Sequence, residues 1–266
     1  MHIRLYTQNI WGDFPPSEKI ANRNGLISSL VHCYAPDICH FQECNPSTSR
    51  AAGVDIASLL ADTYAEASVE NAGCNFTPVF YKKDRFEEVE SGFEPYEGLN
   101  DMQSKSITWA VLREKASGAL LATASTHFWW KHDGEADSLA RIANAQKLAG
   151  VCETIRTKYG IPVVTSGDLN CGPCSAQGMD GYNELVRLGL RDARYLAEKT
   201  TDMHTHHEYP VLNKEGNYVS GKMPVRTLDH VFIAGAPVAV KAFSVVTEQA
   251  ALDSSDHCPL ITDYAV

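Results

Sequence analysis

Ser-Gly-Asp-Leu-Asn, residues 166–170, follows the apolar run Ile-Pro-Val-Val-Thr at 161–165. Ser-Asp-His-Cys-Pro, residues 255–259, leads into the closing strand pattern Pro-Leu-Ile-Thr at 259–262. Each stretch sets carboxylate, amide or imidazole groups at the edge of a β-type run: Asp168 and Asn170 in the first, Asp256 and His257 in the second. Groups on strand ends are held by a rigid sheet and stay open to a ligand, which is the placement chemistry requires.

Working outward, the same arrangement recurs. Residues 2–10 alternate through Ile3, Leu5, Thr7 and Asn9 as a strand does. Pro15-Pro16-Ser17 opens a helix with Ile20, Ile27, Leu30 and Val31 as its apolar positions and Pro36 as its stop. Residues 38–44 form a second strand that ends on Gln42 and Glu43, and residues 51–62 read as a short helix. Strands at 79–81 and 86–89 precede a Gly-bearing acidic loop over 91–103. Strands at 107–112 and 119–128 flank the hairpin turn Lys115-Ala116-Ser117-Gly118. The longest helical pattern covers 136–159, with Leu139, Ile142, Ala143, Leu148, Val151 and Ile155 as its apolar positions and Gly160 as its stop. A helix near 175–188 and a long His- and Tyr-bearing loop at 203–226 follow, then strands at 228–233, 238–246 and 259–264. Helices alternating with strands, then strands dominating, predict a mixed α/β chain whose helices cover the outer faces of packed sheets. Site candidates run from Asn9 to His257, so both ends of the chain must meet, and one domain over 1–266 is expected.

The 266 residues are 44% hydrophobic and 21% charged, which is globular composition with a large core. Net charge is −10, and Lys82-Lys83 is the only adjacent basic pair, so a non-specific binder of long nucleic acid is disfavoured. No apolar run reaches the length of a transmembrane helix, and the start has no signal-peptide core but enters a strand pattern directly. A cytoplasmic monomer is therefore expected; a secreted form with a trimmed leader is compatible with the same residues. Of the eight cysteines, Cys33, Cys39, Cys152 and Cys258 sit in apolar patterns as small hydrophobes. Cys171-Gly-Pro-Cys174 lacks the strand-then-helix setting of a redox pair and reads as a loop.

Six places thus carry polar groups at strand ends: Asn9, Glu43, His127, Asp168 with Asn170, Asp229 with His230, and Asp256 with His257. Taken singly, each reads as a turn residue, a solvated acid or a satisfied core histidine. Together, always closing an apolar run, they describe a site. Hard oxygen ligands beside imidazoles, with no thiolate cluster, suit Mg²⁺- or Mn²⁺-assisted attack on phosphorus.

The ordered segments Thr-Gln-Asn-Ile-Trp-Gly (7–12), Phe-Gln-Glu-Cys (41–44), Ser-Thr-His-Phe (125–128), Gly-Asp-Leu-Asn (167–170), Leu-Asp-His-Val-Phe (228–232) and Ser-Asp-His-Cys-Pro-Leu (255–260) resemble the endonuclease/exonuclease/phosphatase superfamily, the family of deoxyribonuclease I. The resemblance implies a four-layer α/β/β/α sandwich with its site where the sheets splay, and one or two divalent cations. It implies Glu43 as principal metal ligand with Asn9 beside it and Asp256 as a second metal or water ligand. It implies Asp168 as the residue that orients or deprotonates water, Asn170 as donor to the phosphorane oxygens, and His257 as the catalytic imidazole backed by Asp229. His127 resembles a second imidazole on the scissile phosphate. Where deoxyribonuclease I-like members support that imidazole with a Glu, this chain offers Asn75, so His127 is expected as a hydrogen-bond donor to phosphate rather than a strong general acid. Trp129 and Lys131 are candidates to wall the pocket, and Lys105 to meet a phosphate. His204, His206 and His207 read as solvent-facing loop residues in preference to metal ligands.

The leading reading is a metal-dependent hydrolase of a phosphodiester by water attack, nuclease-like and favouring a small molecule or a nucleic-acid end. A phosphomonoesterase and a sphingomyelinase-like lipid-headgroup phosphodiesterase are alternatives on the same fold, since one fold hosts many substrates. A catalytically silent binding module is the alternative of another class; competent side chains at every matched position argue against it.

Overall fold

A computed structural model of the protein describes residues 1–12, 17–45, 55–70, 75–100, 104–175, 178–201, 204–207 and 210–266. Its strands are β1 (His2–Asn9), β2 (Ile38–Gln42), β3 (Tyr64–Glu66), β4 (Val79–Lys82), β5 (Phe86–Pro95), β6 (Ser106–Glu114), β7 (Leu120–His127), β8 (Val163–Asp168), β9 (Arg191–Asp192), β10 (Lys199–Thr200), β11 (Val211–Leu212), β12 (Tyr218–Val219), β13 (Asp229–Ala234), β14 (Ala239–Val245) and β15 (Leu260–Ala265). Its helices are α1 (Ser17–Tyr34), α2 (Ile56–Leu60), α3 (Glu135–Tyr159), α4 (Asp180–Arg187) and α5 (Gln249–Ser254). One sheet has the order β10-β14-β15-β1-β2-β4-β3, the other β5-β6-β7-β8-β13-β9, and β11 with β12 forms a small separate ribbon.

Three apolar clusters separate four layers. Ile3, Leu5 and Ile38 of the first sheet meet Leu121, Val164, Val231 and Ile233 of the second. Tyr6, Cys39 and Phe41, on the opposite faces of β1 and β2, pack under α1, α2 and α5 through Ile27, Leu30, Ile56 and Ala251. Ala122, Ala124, Val163 and Phe232 pack under α3 and α4 through Leu148, Cys152, Ile155 and Leu185. This is the α/β/β/α sandwich, and the period-two alternation of the strands produces it directly.

The inward positions change character along each strand. On β1 they run Ile3, Leu5, Thr7, Asn9; on β2 Ile38, His40, Gln42; on β7 Leu121, Thr123, Ser125, His127; on β8 Val164, Ser166, Asp168. β13 is antiparallel to β8, pairs Asp229 with Asp168, and reads the same gradient in reverse as Ile233, Val231, Asp229. The space between the sheets is therefore apolar at one end and polar at the other. The middle is stitched by hydrogen bonds: Gln42 Nε2 donates to Ser125 Oγ at 3.1 Å, and the His40 ring meets Ser166 Oγ at 2.7 Å and Thr123 Oγ1 at 2.9 Å. Buried polar groups are tolerable only when paired in this way.

Several expected boundaries shift. β5 continues through Pro95, pairing with β6 across the stretch expected as loop from 91 onward. The long helix ends as expected on Gly160, whose φ of 69° is left-handed, but Leu139 is exposed. Arg141 and Asn144 are buried in its place, because this end of α3 covers polar groups of the α4 start and of the loop after β7: Arg141 holds Asp180 and Asn144 Oδ1 accepts from Trp129 N. α2 begins at Ile56, with Asp55 capping it, and residues 51–54 of the expected helix lie outside the described residues, as do Pro15 and Pro16. The short strands β3 and β9 to β12 and the helix α5 carry too few periodic positions to be read from sequence. Among the described residues no helix is long and apolar enough to cross a membrane.

Candidate active site

The polar ends of β1, β2, β7, β8 and β13 converge with the segment before β15, and Asp168 lies at their centre. It sits at the end of β8 because Gly167 lets β7 and β8 close: a Cβ on Gly167 would lie 1.8 Å from Thr126 O. Asn170 and Glu43 both have left-handed backbones, with φ of 50° and 54°. Such turns on non-glycine residues cost energy and persist where surrounding structure fixes them. Asn170 is fixed by its own N–H, which donates to Asp168 Oδ1 at 2.8 Å. Glu43 is fixed by close chain approach, since a Cβ on Gly12 would lie 2.0 Å from Glu43 O.

Asn9 joins the two sheets. Its Nδ2 donates to Glu43 Oε1 at 3.1 Å and to Asp168 Oδ2 at 3.0 Å, while its Oδ1 accepts from Trp11 N at 3.0 Å. The amide thus bridges two carboxylates that would otherwise repel. Glu43 Oε2 is buried and takes no hydrogen bond among the described residues. An orphaned buried carboxylate oxygen beside further oxygen donors fits a hard divalent cation.

Two imidazoles flank Asp168. On one side His257 Nε2 is 3.8 Å from Asp168 Oδ2, and His257 Nδ1 donates to Asp229 Oδ2 at 2.8 Å. Thr205 Oγ1 donates to the same Asp229 oxygen at 2.6 Å and accepts from Leu228 N and Asp229 N, which locks the carboxylate against the ring. Burial alone would lower the His257 pKa, but Asp229, Asp168 and Asp256 outweigh it and hold the ring well above its ordinary value, as imidazolium. Asp168 shows the converse. Burial would raise its carboxyl, yet His257, His127 and Lys105 hold it well below the usual carboxylate range.

On the other side His127 Nε2 lies 3.4 Å from Asp168 Oδ2 and 3.9 Å from Glu43 Oε1. Closer still are two donors: Lys105 Nζ at 2.7 Å and Asn170 Nδ2 at 3.2 Å, the latter also donating to Phe128 O at 3.1 Å. An ammonium has only protons to give. Nζ also lies 3.1 Å from Nδ1, so the ammonium packs against both ring nitrogens.

Asp256 accepts from Ser255 Oγ through Oδ1 at 3.3 Å, and its Oδ2 stands 3.7 Å from His206 Nε2. Burial would raise its carboxyl, but His257 and His206 bring it below its ordinary value. The ligand atoms of His206, Asp256 and His257 lie within 4.8 Å of one another, as do those of Asp168, Asp229 and His257.

The structure therefore gathers Asn9, Glu43, Lys105, His127, Asp168, Asn170, Asp229, Asp256 and His257 at one end of the sandwich. It does not bring Asn75 to His127. Asn75 Oδ1 accepts from Thr77 N at 2.9 Å and Thr108 Oγ1 at 2.9 Å, so its amide fixes a turn, and Lys105 stands beside the imidazole. Trp129 does not wall the site either: it is buried, and its Nε1 donates to Asp137 Oδ1 at 2.7 Å. Lys131 lays its ammonium over the Trp129 and Trp130 rings, 5.8 and 5.5 Å from their centroids.

No family model matches the chain, and no curated protein matches its sequence. Solved structures do. An endonuclease/exonuclease/phosphatase protein from Bacteroides vulgatus superposes with a TM-score of 0.76 at 22% identity, over 100% of this chain and 99% of that one. A mannosyl-6-phosphatase from Bacteroides thetaiotaomicron gives 0.77 at 17% identity, over 99% of this chain and 100% of that one. The chain has the endonuclease/exonuclease/phosphatase fold. TDP2 from D. rerio, complexed with a single-strand DNA product, has the same fold with a TM-score of 0.65 at 17% identity, over 100% of this chain and 99% of that one.

On the endonuclease/exonuclease/phosphatase fold, two residues that sequence reasoning passed over join the site. Thr205 clamps Asp229, and His206 packs edge-on against His257 with ring centroids 4.7 Å apart. Both come from the loop expected as solvent-facing. Its backbone is tied down by Cys258 N donating to Thr205 O at 2.7 Å and His207 N donating to Asp256 O at 2.9 Å. The sequence signal was present in Thr-His-His at 205–207 but carries no strand pattern that would have placed it.

Proposed function

We propose that the protein is a divalent-cation-dependent phosphoesterase that hydrolyses small phosphoesters, or the phosphate at a chain end, by attack of water. The observation that carries this reading is the placement of Asp168, buried with His257 Nε2 at 3.8 Å and His127 Nε2 at 3.4 Å and joined through Asn9 to Glu43, whose Oε2 takes no hydrogen bond among the described residues. A protonated His257 has no lone pair for the proton of an attacking water. That role falls to Asp168. As the water oxygen bonds to phosphorus and the bond to the leaving oxygen breaks, Asp168 takes the water proton, and His257 and Asn170 donate to the oxygens on which charge accumulates. Asp229 keeps the His257 ring charged and oriented. Glu43 would hold the cation, with Asn9 beside it and Asp256 as a further oxygen ligand. Mg²⁺ or Mn²⁺, when bound, supplies Lewis-acid polarisation of a phosphoryl oxygen.

The substrate side rests on charge. With net charge −10 and no basic stripe, internal sites of duplex DNA are poorly held, whereas a compact phosphoester is not penalised. The mannosyl-6-phosphatase, with the same fold, and TDP2, complexed with a single-strand DNA product, support both parts of that choice. The test is hydrolysis of an aryl phosphoester with chelator and with added cation. Chelator is expected to abolish the activity, and Mg²⁺ or Mn²⁺ to restore it. Full activity in excess chelator overturns the cation, and no hydrolysis of any phosphoester with any divalent cation supports a silent binding module instead.

A further inference from the structure

We infer that His206, Asp256 and His257 form a site for a borderline divalent cation of the zinc class, and that filling it switches the catalytic end off; the second half rests on the phosphoesterase reading above. One ligand atom of each residue lies within 4.8 Å of those of the other two, and all three side chains are mostly buried. Ligand atoms on one tetrahedral zinc, bonded at about 2.0–2.1 Å, stand about 3.4 Å apart. Asp256 Oδ2 and His206 Nε2 are already at 3.7 Å. The backbone presents the three together: His206 makes an antiparallel bridge with His257, and His207 N donates to Asp256 O at 2.9 Å. The ligands therefore sit on two segments hydrogen-bonded to each other, and small side-chain rotations close the remaining distance.

Each of the three has an atom to give. His206 Nδ1 is buried and makes no hydrogen bond among the described residues, and its Nε2 stands beyond hydrogen-bond length from Asp256. A buried imidazole without hydrogen bonds is costly unless a ligand takes it. His257 keeps its Nδ1–H on Asp229 Oδ2 at 2.8 Å, the carboxylate support usual behind a metal-binding histidine, and this leaves Nε2. Asp256 Oδ1 accepts from Ser255 Oγ at 3.3 Å, which leaves Oδ2. Two imidazoles and one carboxylate suit Zn²⁺, with water in the fourth position, whereas Mg²⁺ takes oxygen and belongs with Glu43. On binding, the His257 Nε2–H bond breaks, its proton goes to solvent, and the nitrogen bonds to zinc. The proposed reaction then lacks its imidazolium, and the Mg²⁺ site lacks the Asp256 oxygen.

The experiment titrates the metal-free full chain with Zn²⁺ in a calorimeter. Wild type is expected to bind zinc, and His206→Gln to weaken that binding about 100-fold, since loss of even a partner behind a ligand costs about 10- to 100-fold. Glu43→Gln should leave it nearly unchanged. Imidazole nitrogen NMR reads the site in wild type, so a His206→Gln that does not fold leaves the test intact: Zn²⁺ should move the ring nitrogens of His206 and His257 and leave those of His40 in place. At saturating Mg²⁺, Zn²⁺ should inhibit hydrolysis of an aryl phosphoester, and the concentration needed should rise about 100-fold in His206→Gln, each protein being scaled to its own zinc-free rate. Zinc affinity lost in Glu43→Gln and kept in His206→Gln, or ring nitrogens of His206 and His257 that do not move, overturns the site. Zinc bound at these residues without inhibition overturns the switch. Absence of hydrolysis by zinc-free wild type with any divalent cation overturns the phosphoesterase reading, while calorimetry and NMR still decide the site.

Discussion

His257 and His127 both reach toward Asp168 Oδ2, at 3.8 and 3.4 Å, yet the groups behind them carry opposite charge. Behind His257 stands Asp229, a carboxylate, which favours a second proton on the ring. Beside His127 stands Lys105, an ammonium, which offers protons and takes none. Two identical side chains at mirrored positions thus have neighbours of opposite charge, and a histidine's role follows from what its ring meets. The arrangement also divides the labour around phosphorus. In the proposed reaction the His257 side stabilises charge through one imidazolium, and the His127 side brings an ammonium and an amide close to the ring.

The sharpest way to break this contrast is to remove one donor from the His127 side. Asn170→Ala should lower kcat about 100- to 1,000-fold with little change in KM, since its donation belongs to the transition state. Steady-state kinetics on a small phosphoester measure it, and an effect confined to KM would take Asn170 out of that role. On the other side, His257→Asn and Asp229→Asn should each cost about 100-fold in rate, with the double variant little worse than the worse single. Losses that add in the double variant would mean that ring and carboxylate act separately.

A smaller change asks whether Asp229 needs its clamp. Thr205→Val removes the hydroxyl that donates to Asp229 Oδ2 and accepts from two backbone N–H groups. About 2 kcal/mol of stability and about tenfold in rate should go with it, because hydrogen bonds to charged groups are worth more than neutral ones. Denaturant unfolding and kinetics read the two effects, and a variant with wild-type rate would show that Asp229 is held by His257 alone.

A change that leaves the site itself untouched tests a third histidine, one with no charged neighbour behind it. His40 is sealed between the sheets, and burial pushes it down to about 3 from an ordinary 6.5. The unfolded chain takes up a proton there as pH falls below 6.5, while the folded chain waits until about 3. Folding stability is thus lost as pH falls through that window. His40→Gln should flatten the loss by up to about 1.4 kcal/mol per pH unit. Urea unfolding between pH 4 and 6.5 decides it, and an unchanged slope would place the acid sensitivity elsewhere.

The sandwich was legible because alternation is a property of single strands. Ile3, Leu5, Thr7 and Asn9 announce a buried face and its polar end without reference to any other part of the chain. For the same reason Glu43, Asp168, Asn170, Asp229 and His257 could be named in advance, each closing an apolar run. The pattern could not say which group stands behind which imidazole. Lys105 comes before β6 and His127 ends β7, so their contact exists only once that hairpin is paired. Asn75 looked equivalent from its sequence position, but it faces Thr77 and Thr108.

Residues alone thus determined the layers, the end of the sandwich that gathers the polar groups and the hard-oxygen character of that end, since these follow from periodicity and residue type. Tertiary structure alone decided the roles within it. Donor or acceptor, charged or neutral, clamped or free are relations between groups 22 to 159 residues apart in the chain, such as Lys105 with His127 and Asn9 with Asp168. Hydrogen bonding and Coulomb forces act over a few ångströms of space, so only the fold that closes those distances can assign them.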